Sequence, residues 1–292
     1  MIGHFRAVAV VILFFSLTIP LIPIQFIFIK IFPKSAGLLP QWYHRKLCKL
    51  LGLRIRIEGH LKTTSSLLIV SNHTSWLDIP LLSAIAPVSF VAKREVEYWP
   101  FISTLAKLQR TIFVNRLLRS ASRKNAGEIL ERLSRGDAVV LFGEGTSTDG
   151  NRVLPFKSSL FSAVIPSKTM NCFPVEVVVQ TISLVYTRLH GVPLGWSDRS
   201  IVGWYGEMEF MSHAWELLKR GPLDVTITIG PPLSLDAFIS RKELADYTGR
   251  VIQKEVVRLL RGYSTDKIFQ TPKSTHSMRH SFLSKSSTRN WQ

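Results

Sequence analysis

From Ala7 to Ile29 the chain runs for 23 residues without a charged side chain. A straight helix of that length, at about 1.5 Å per residue, reaches about 35 Å, against a bilayer hydrocarbon core of about 30 Å. Arg6 stands before the run, and Lys30, Lys34, Arg45, Lys46 and Lys49 follow it. The positive-inside bias places the C-terminal side, and with it the remaining chain, in the cytoplasm at the inner membrane. Pro20 and Pro23 each remove a backbone donor, so two geometries stay open: a spanning helix, or a helical hairpin dipping into one leaflet. Trp42 and Tyr43, beside the basic cluster, read as interfacial anchors. A cleaved signal peptide fits less well, because the run is long for an h-region and no small-x-small site directly follows it.

The charge is regional. Of the net +17, residues 1–60 carry +7, residues 93–135 carry +6 and residues 264–292 carry +4, which leaves the rest neutral. Such an excess calls for an anionic partner, and its place beside the apolar run favours an anionic membrane surface. Nucleic acid is the competing class, but no zinc spacing, RNP-type motif or recognition helix accompanies the charge. Two cysteines, Cys48 and Cys172, without a CxxC pair, exclude a disulfide scaffold and a thiolate zinc site.

Strand and helix patterns alternate. Residues 37–51 read as an amphipathic helix, 53–58 as a strand, 66–71 as a buried strand, 77–85 as a helix and 88–92 as a strand. Tyr98–Leu108 reads as a helix, 111–114 as a strand, 121–133 as a helix and 138–142 as a strand. Phe173–Gln180 and Leu223–Ile229 read as strands, and Arg241–Leu260 as a long helix. This predicts an α/β fold: one domain, residues 37–263, with a mixed, largely parallel sheet flanked by helices. A membrane-anchoring segment, 1–36, precedes it, and a serine-rich basic tail, 264–292, expected to be disordered, follows it.

Four local patterns carry chemistry. The first is Asn72-His73-Thr74-Ser75-Trp76-Leu77-Asp78. On one helix, side chains five apart point about 140° away from each other, so His73 and Asp78 can meet only across a strand-to-helix turn. There the carboxylate would orient one ring nitrogen and make the other a base. GxSxG is absent, so the simplest device is a base that deprotonates an acceptor hydroxyl directly. Alternatively, Ser75 to Asp78 fits a capping box, with Asp78 serving only the helix. The second pattern is Phe142-Gly143-Glu144-Gly145-Thr146-Ser147-Thr148, a Gly-rich loop after an apolar strand, suited to a phosphate or an oxyanion, or to an ordinary turn. The third, Phe113-Val114-Asn115-Arg116, ends a strand with an arginine able to grip a phosphate or simply face solvent. The fourth, Phe173-Pro174-Val175, opens a strand.

In this order and at these intervals, over roughly Leu67 to Leu235, the four patterns resemble the lysophospholipid acyltransferase family of 1-acylglycerol-3-phosphate acyltransferases, with its NHxxxxD, F-x-x-R, FPEGTRS and V-P-V-like segments. The resemblance implies an αβ acyltransferase fold with membrane-associated N-terminal helices. It implies acyl transfer from acyl-CoA or acyl carrier protein to a lysolipid hydroxyl, with neither metal nor resident cofactor. It implies His73 as base and Asp78 as its partner. Arg116, Glu144, Gly145 and Thr146 would bind the acceptor, with Lys93 and Arg152 as further basic candidates. The expected acceptor is 1-acyl-sn-glycerol 3-phosphate, giving phosphatidic acid; the alternative is a lyso-ornithine lipid. Two departures matter. Gly143 replaces the usual proline, which should loosen the loop, and Ser147 stands where the family usually has a phosphate-binding arginine. Trp204-Tyr205-Gly206-Glu207-Met208-Glu209-Phe210, together with Arg188-Leu189-His190-Gly191, is similar to bacterial relatives of both acceptor types. A catalytically inactive membrane-binding relative is the remaining class.

Overall fold

The computed structural model describes residues 1–62, 66–114, 121–163 and 177–262. Arg116, Phe173-Pro174-Val175, Cys172 and the tail 264–292 lie outside the described residues. Seven α-helices are described: α1 (Ile2–Ile31), α2 (Leu38–Leu51), α3 (Asp78–Ile85), α4 (Ile102–Leu108), α5 (Ala121–Ser134), α6 (Phe210–Lys219) and α7 (Arg241–Leu260). The strands are β1 (Leu53–Glu58), β2 (Leu67–Ser71), β3 (Val88–Lys93), β4 (Ile112–Val114), β5 (Ala138–Phe142), β6 (Val178–Leu189), β7 (Val192–Pro193), β8 (Leu223–Ile229) and β9 (Leu233–Ser234).

The strands form one sheet in the order β1-β8-β6-β2-β5-β3-β4, with β7 and β9 paired to β6. The pairs β1/β8, β6/β2, β2/β5, β5/β3 and β3/β4 are parallel, and β6/β8 is antiparallel. The sheet is therefore mixed and largely parallel. Central β2 is buried at all five positions, as its unbroken apolar run requires of a strand covered on both faces. Its Leu67 and Ile69 enter one core with residues of α1, α2, α3 and α6, while Leu68 and Val70 enter a second with residues of α5 and α7. Three layers result, helices on both sides of the sheet. Parallel strands all end at the same edge. The β2-to-α3 and β5-to-Gly-loop connections lie there side by side, because β2 and β5 are hydrogen-bonded neighbours.

Two expectations change in detail. Tyr98–Leu108 is not one helix: a 3₁₀ turn spans Arg94–Tyr98, Trp99 is extended (φ −76°, ψ 123°), and α4 starts only at Ile102. The cause is Pro100, whose ring disfavours a helical conformation in the residue before it. The strand read as ending at Gln180 continues to Leu189. Residues 181–189 alternate as a strand should, with Ile182, Leu184 and Tyr186 in the first core and Val185 in the second.

Pro20 and Pro23 do not divide the N-terminal run, and α1 is one helix of 30 residues. The turn back comes after it, at Phe32–Gly37, before α2. α1 is tied along the domain. The Arg6 guanidinium donates to the carbonyls of Leu218 and Leu51, Thr18 Oγ1 and the Tyr43 hydroxyl are 2.7 Å apart, and Gln25 Nε2 donates to Ala36 O (2.8 Å) and Leu108 O (3.0 Å). Tyr43 thus turns toward α1 instead of outward, while Trp42 remains exposed with Lys46 over its ring. The opposite side of α1 exposes Phe5, Ile12, Ile19, Phe26 and Ile27. By length and hydropathy α1 is a candidate membrane segment.

Candidate active site

His73 leaves the end of β2, and Asp78 is the first residue of α3. Across that corner His73 Nδ1 lies 2.7 Å from Asp78 Oδ2. Asp78 is fully buried, and a buried carboxylate must be compensated by donors. Oδ2 also accepts from the amides of Thr74 (2.7 Å) and Ser75 (3.0 Å), and Oδ1 accepts from the Tyr186 hydroxyl (2.6 Å). One oxygen thus gathers the backbone before α3 and the imidazole together, but the Ser75–Asp78 capping box does not form: the N-cap of α3 is Leu77, and no side chain caps the helix. Burial and the neighbouring Asp78 hold the Tyr186 phenol well above its ordinary pKa, so it stays a donor. The His73 ring stacks on Phe142 at 4.0 Å, which fixes its plane and leaves Nε2 for the space beyond.

Glu144 supports the same corner from below. It is buried; Oε1 accepts from the His73 amide (2.8 Å) and Oε2 from the Leu154 amide (2.7 Å). Burial pushes its carboxyl up to about 7 against the pull of those two donors. Glu144 was expected among the acceptor contacts. In the structure both oxygens of its carboxylate are engaged by backbone amides. The loop is stitched further by Thr148 N to His73 O (3.0 Å) and Trp204 N to Thr74 O (2.9 Å).

The glycine in place of proline does not loosen the loop. Gly143 N donates to Ser71 O (3.1 Å), and Gly143 O accepts from Lys157 N (2.9 Å). A Cβ at Gly143 would lie 2.3 Å from Phe156 Cδ2, so the Phe156 ring takes the space that a larger residue would need. Gly143 is the residue that allows this packing, and the amide bond to Ser71 is one that proline could not make.

A cavity of about 610 Å³ opens beside His73. Such a size suits a substantial organic ligand. Phe14, Thr18 and Gln25 of α1 line it, as do Tyr43 and His44 of α2. Burial pushes His44 down to about 4, so it brings no charge at neutral pH. Of the expected acceptor residues, Lys93, Gly145 and Thr146 share this cavity with His73. Arg152 lies elsewhere, in a small recess with Asn72, Thr74 and Arg199, and Arg116 is outside the described residues. Ser147 also lines the cavity, and its hydroxyl donates to Trp204 O. Two contributors were not singled out from sequence. Tyr186 lies beyond the strand pattern that the sequence shows, and the inner face of α1, largely apolar like the rest of the helix, walls the cavity. No group of three or more His, Cys, Asp or Glu among the described residues could hold a metal ion.

The Acyltransferase family profile matches residues 53–185. A lyso-ornithine lipid O-acyltransferase of Brucella abortus is 44% identical over 260 residues, covering 89% of this chain and 96% of that protein. The chain belongs to the lysophospholipid acyltransferase family. This acyltransferase is also 38% identical to a lyso-ornithine lipid O-acyltransferase of Rhizobium meliloti, over 90% of each chain. A 1-acyl-sn-glycerol-3-phosphate acyltransferase of Neisseria meningitidis is 38% identical over 101 residues, 35% of this chain and 40% of that one. The crystal structure of the 1-acyl-sn-glycerophosphate acyltransferase of Thermotoga maritima shares the fold, with a TM-score of 0.64 at 20% identity over 90% of this chain and all of that one. The N-terminal helix α1 of this acyltransferase has the length and apolarity of a candidate membrane segment.

Proposed function

We propose that this acyltransferase moves a fatty acyl group from acyl-CoA or acyl carrier protein to the free hydroxyl of a lyso-ornithine lipid at the membrane surface. The chemistry follows from the site. His73 Nε2 takes the proton of the acceptor hydroxyl while Asp78 holds the ring from Nδ1. The acceptor oxygen attacks the thioester carbonyl, the C–O bond forms and the C–S bond breaks. The imidazolium then returns its proton to the departing thiolate. The apolar cavity between α1, α2 and α4 takes the hydrocarbon chain, and the exposed face of α1 sits in lipid.

The observation that carries the acceptor reading is Ser147. At the loop position where a phosphate-binding arginine would stand, the chain has a hydroxyl, and that hydroxyl is bonded to Trp204 O. A phosphomonoester loses a charged partner there; a lipid without phosphate loses nothing. Ornithine acylated on one amino group keeps one ammonium and one carboxylate and has no phosphate. The two relatives named above at 44% and 38% identity carry the lyso-ornithine name and support the same reading. Membranes carrying the protein, given labelled acyl donor and a panel of lysolipids, should form ornithine lipid. Label appearing only in phosphatidic acid would overturn the proposal.

A further inference from the structure

The cavity beside His73 has a second charged wall that the catalytic corner does not use. Tyr205 to Met208 forms a tight turn, with Met208 N donating to Tyr205 O, Trp204 Nε1 donating to Met208 O (2.9 Å) and Gly206 at φ +62°. Its tip carries Glu207, which lines the cavity. The two acids of this segment have different fates. Glu209 caps α6, accepting from the amides of Met211 (3.0 Å) and Ser212 (2.6 Å). Glu207 makes no ion pair or side-chain hydrogen bond with any described residue, and it stands solvent-exposed among the residues that line the cavity. Next to it, on the same cavity, stand Trp76, Trp99, Trp204 and Phe210, whose rings meet one another at centroid distances of 5.6 to 6.2 Å.

A carboxylate and a cluster of indole rings on one wall form a cation site: the carboxylate supplies the charge and the ring faces a negative quadrupole. The same wall is adverse to a phosphate dianion, which would meet a like charge there. Lys93, also exposed, lines the same cavity and supplies one positive charge. The described lining therefore offers one cation and one anion, the complement of a zwitterion. We infer that Glu207 receives the ammonium of the acceptor headgroup against the Trp99–Trp204–Phe210 wall, while Lys93 takes its carboxylate. The inference deepens the lyso-ornithine reading and rests on it.

Two acceptors separate the possibilities: lyso-ornithine lipid, and the same lipid with its free amine acetylated, with lysophosphatidic acid as the third arm. The wild-type KM for the ammonium form should be about tenfold below that for the acetylated form, the scale of one charge-assisted hydrogen bond. Glu207→Gln should bring the two to within about twofold, and Glu207→Asp should restore part of the gap. If the wild type acylates both forms with equal KM, the ammonium site is wrong and the acceptor reading stands. If Glu207→Gln keeps the tenfold gap, another residue holds the ammonium and the assignment fails. If the wild type acylates lysophosphatidic acid alone, the acceptor reading fails and this inference falls with it. The wild-type comparison needs no variant, so equal KM values would overturn the ammonium site even if Glu207→Gln does not fold, and Glu207→Asp then tests the residue.

Discussion

The hydroxyl of Tyr186, in the last third of β6, donates to Asp78 Oδ1 at 2.6 Å, while the other oxygen of the same carboxylate holds His73 at 2.7 Å. The phenol touches no reacting atom, so it acts through Asp78. Losing one hydrogen bond to a charged group is worth about 1.5–3 kcal/mol. Tyr186→Phe should therefore lower kcat by about ten- to a hundredfold while the acceptor KM stays within about twofold. Steady-state kinetics in detergent micelles checks this, and a variant with wild-type kcat would show that the two backbone amides on Oδ2 suffice.

His73 itself is the stronger test. His73→Ala removes the base and should cost at least about a hundredfold in acyl transfer. The fold should survive, because the backbone of residue 73 is held by Glu144 and Thr148 independently of the ring. Near-normal turnover by a folded, membrane-bound variant would remove His73 from the mechanism.

These relationships were legible in the sequence to different depths. The apolar runs of β2 and β5 and the five-residue interval from His73 to Asp78 dictate a turn between strand and helix, because no single helix face holds both residues. Glycine at 143 was legible as a departure, but its consequence was not. Phe156, which fills the space, is distant along the chain and carries no pattern of its own. Glu144 looked like a ligand-facing acid because nothing local shows that its oxygens meet the amides of His73 and Leu154. α1 announced its apolarity but not its inner face: Thr18 and Gln25 are ordinary polar interruptions until Tyr43, Ala36 and Leu108 are placed beside them.

Restoring proline at position 143 should harm this protein. Gly143→Pro deletes the amide that donates to Ser71 O and drives a Cβ into Phe156. Overpacking alone costs about 1–3 kcal/mol. Thermal unfolding in micelles should show a lower Tm together with reduced activity. Phe156→Ala in the same chain should recover part of both, whereas no recovery would point to the lost amide as the main defect.

The raised carboxyl of Glu144 makes a signed prediction about pH. An ordinary glutamate at 4.5 rises to about 7 in the folded protein, so between those values the folded state binds the proton more tightly than the unfolded chain. The stabilising contribution is complete below about 4.5, falls as pH rises and is gone above about 7. The difference corresponds to about 3 kcal/mol at most. The Tm of the wild type should show this decline, and Glu144→Gln should remove that component. An identical pH slope in the two proteins would place the buried charge elsewhere.

The tethering of α1 decides how it meets the bilayer. Arg6 and Gln25, the outermost tethers, are 19 residues apart, or about 28 Å along the helix, and both bind backbone carbonyls of the domain. A helix held along the domain over that length cannot leave it to cross a membrane alone. With the tethers intact, α1 is expected to lie along the membrane surface with one side in lipid, as interfacial helices do. Ile12, Ile19 and Phe26 are exposed, and seven-residue steps keep them on one face. Spin labels at these three positions should report similar depths within one leaflet. A helix crossing the bilayer would instead spread them over about 21 Å along the normal. Depths that pass through the bilayer centre from position 12 to position 26 would require the tethers to break and would overturn the in-plane placement.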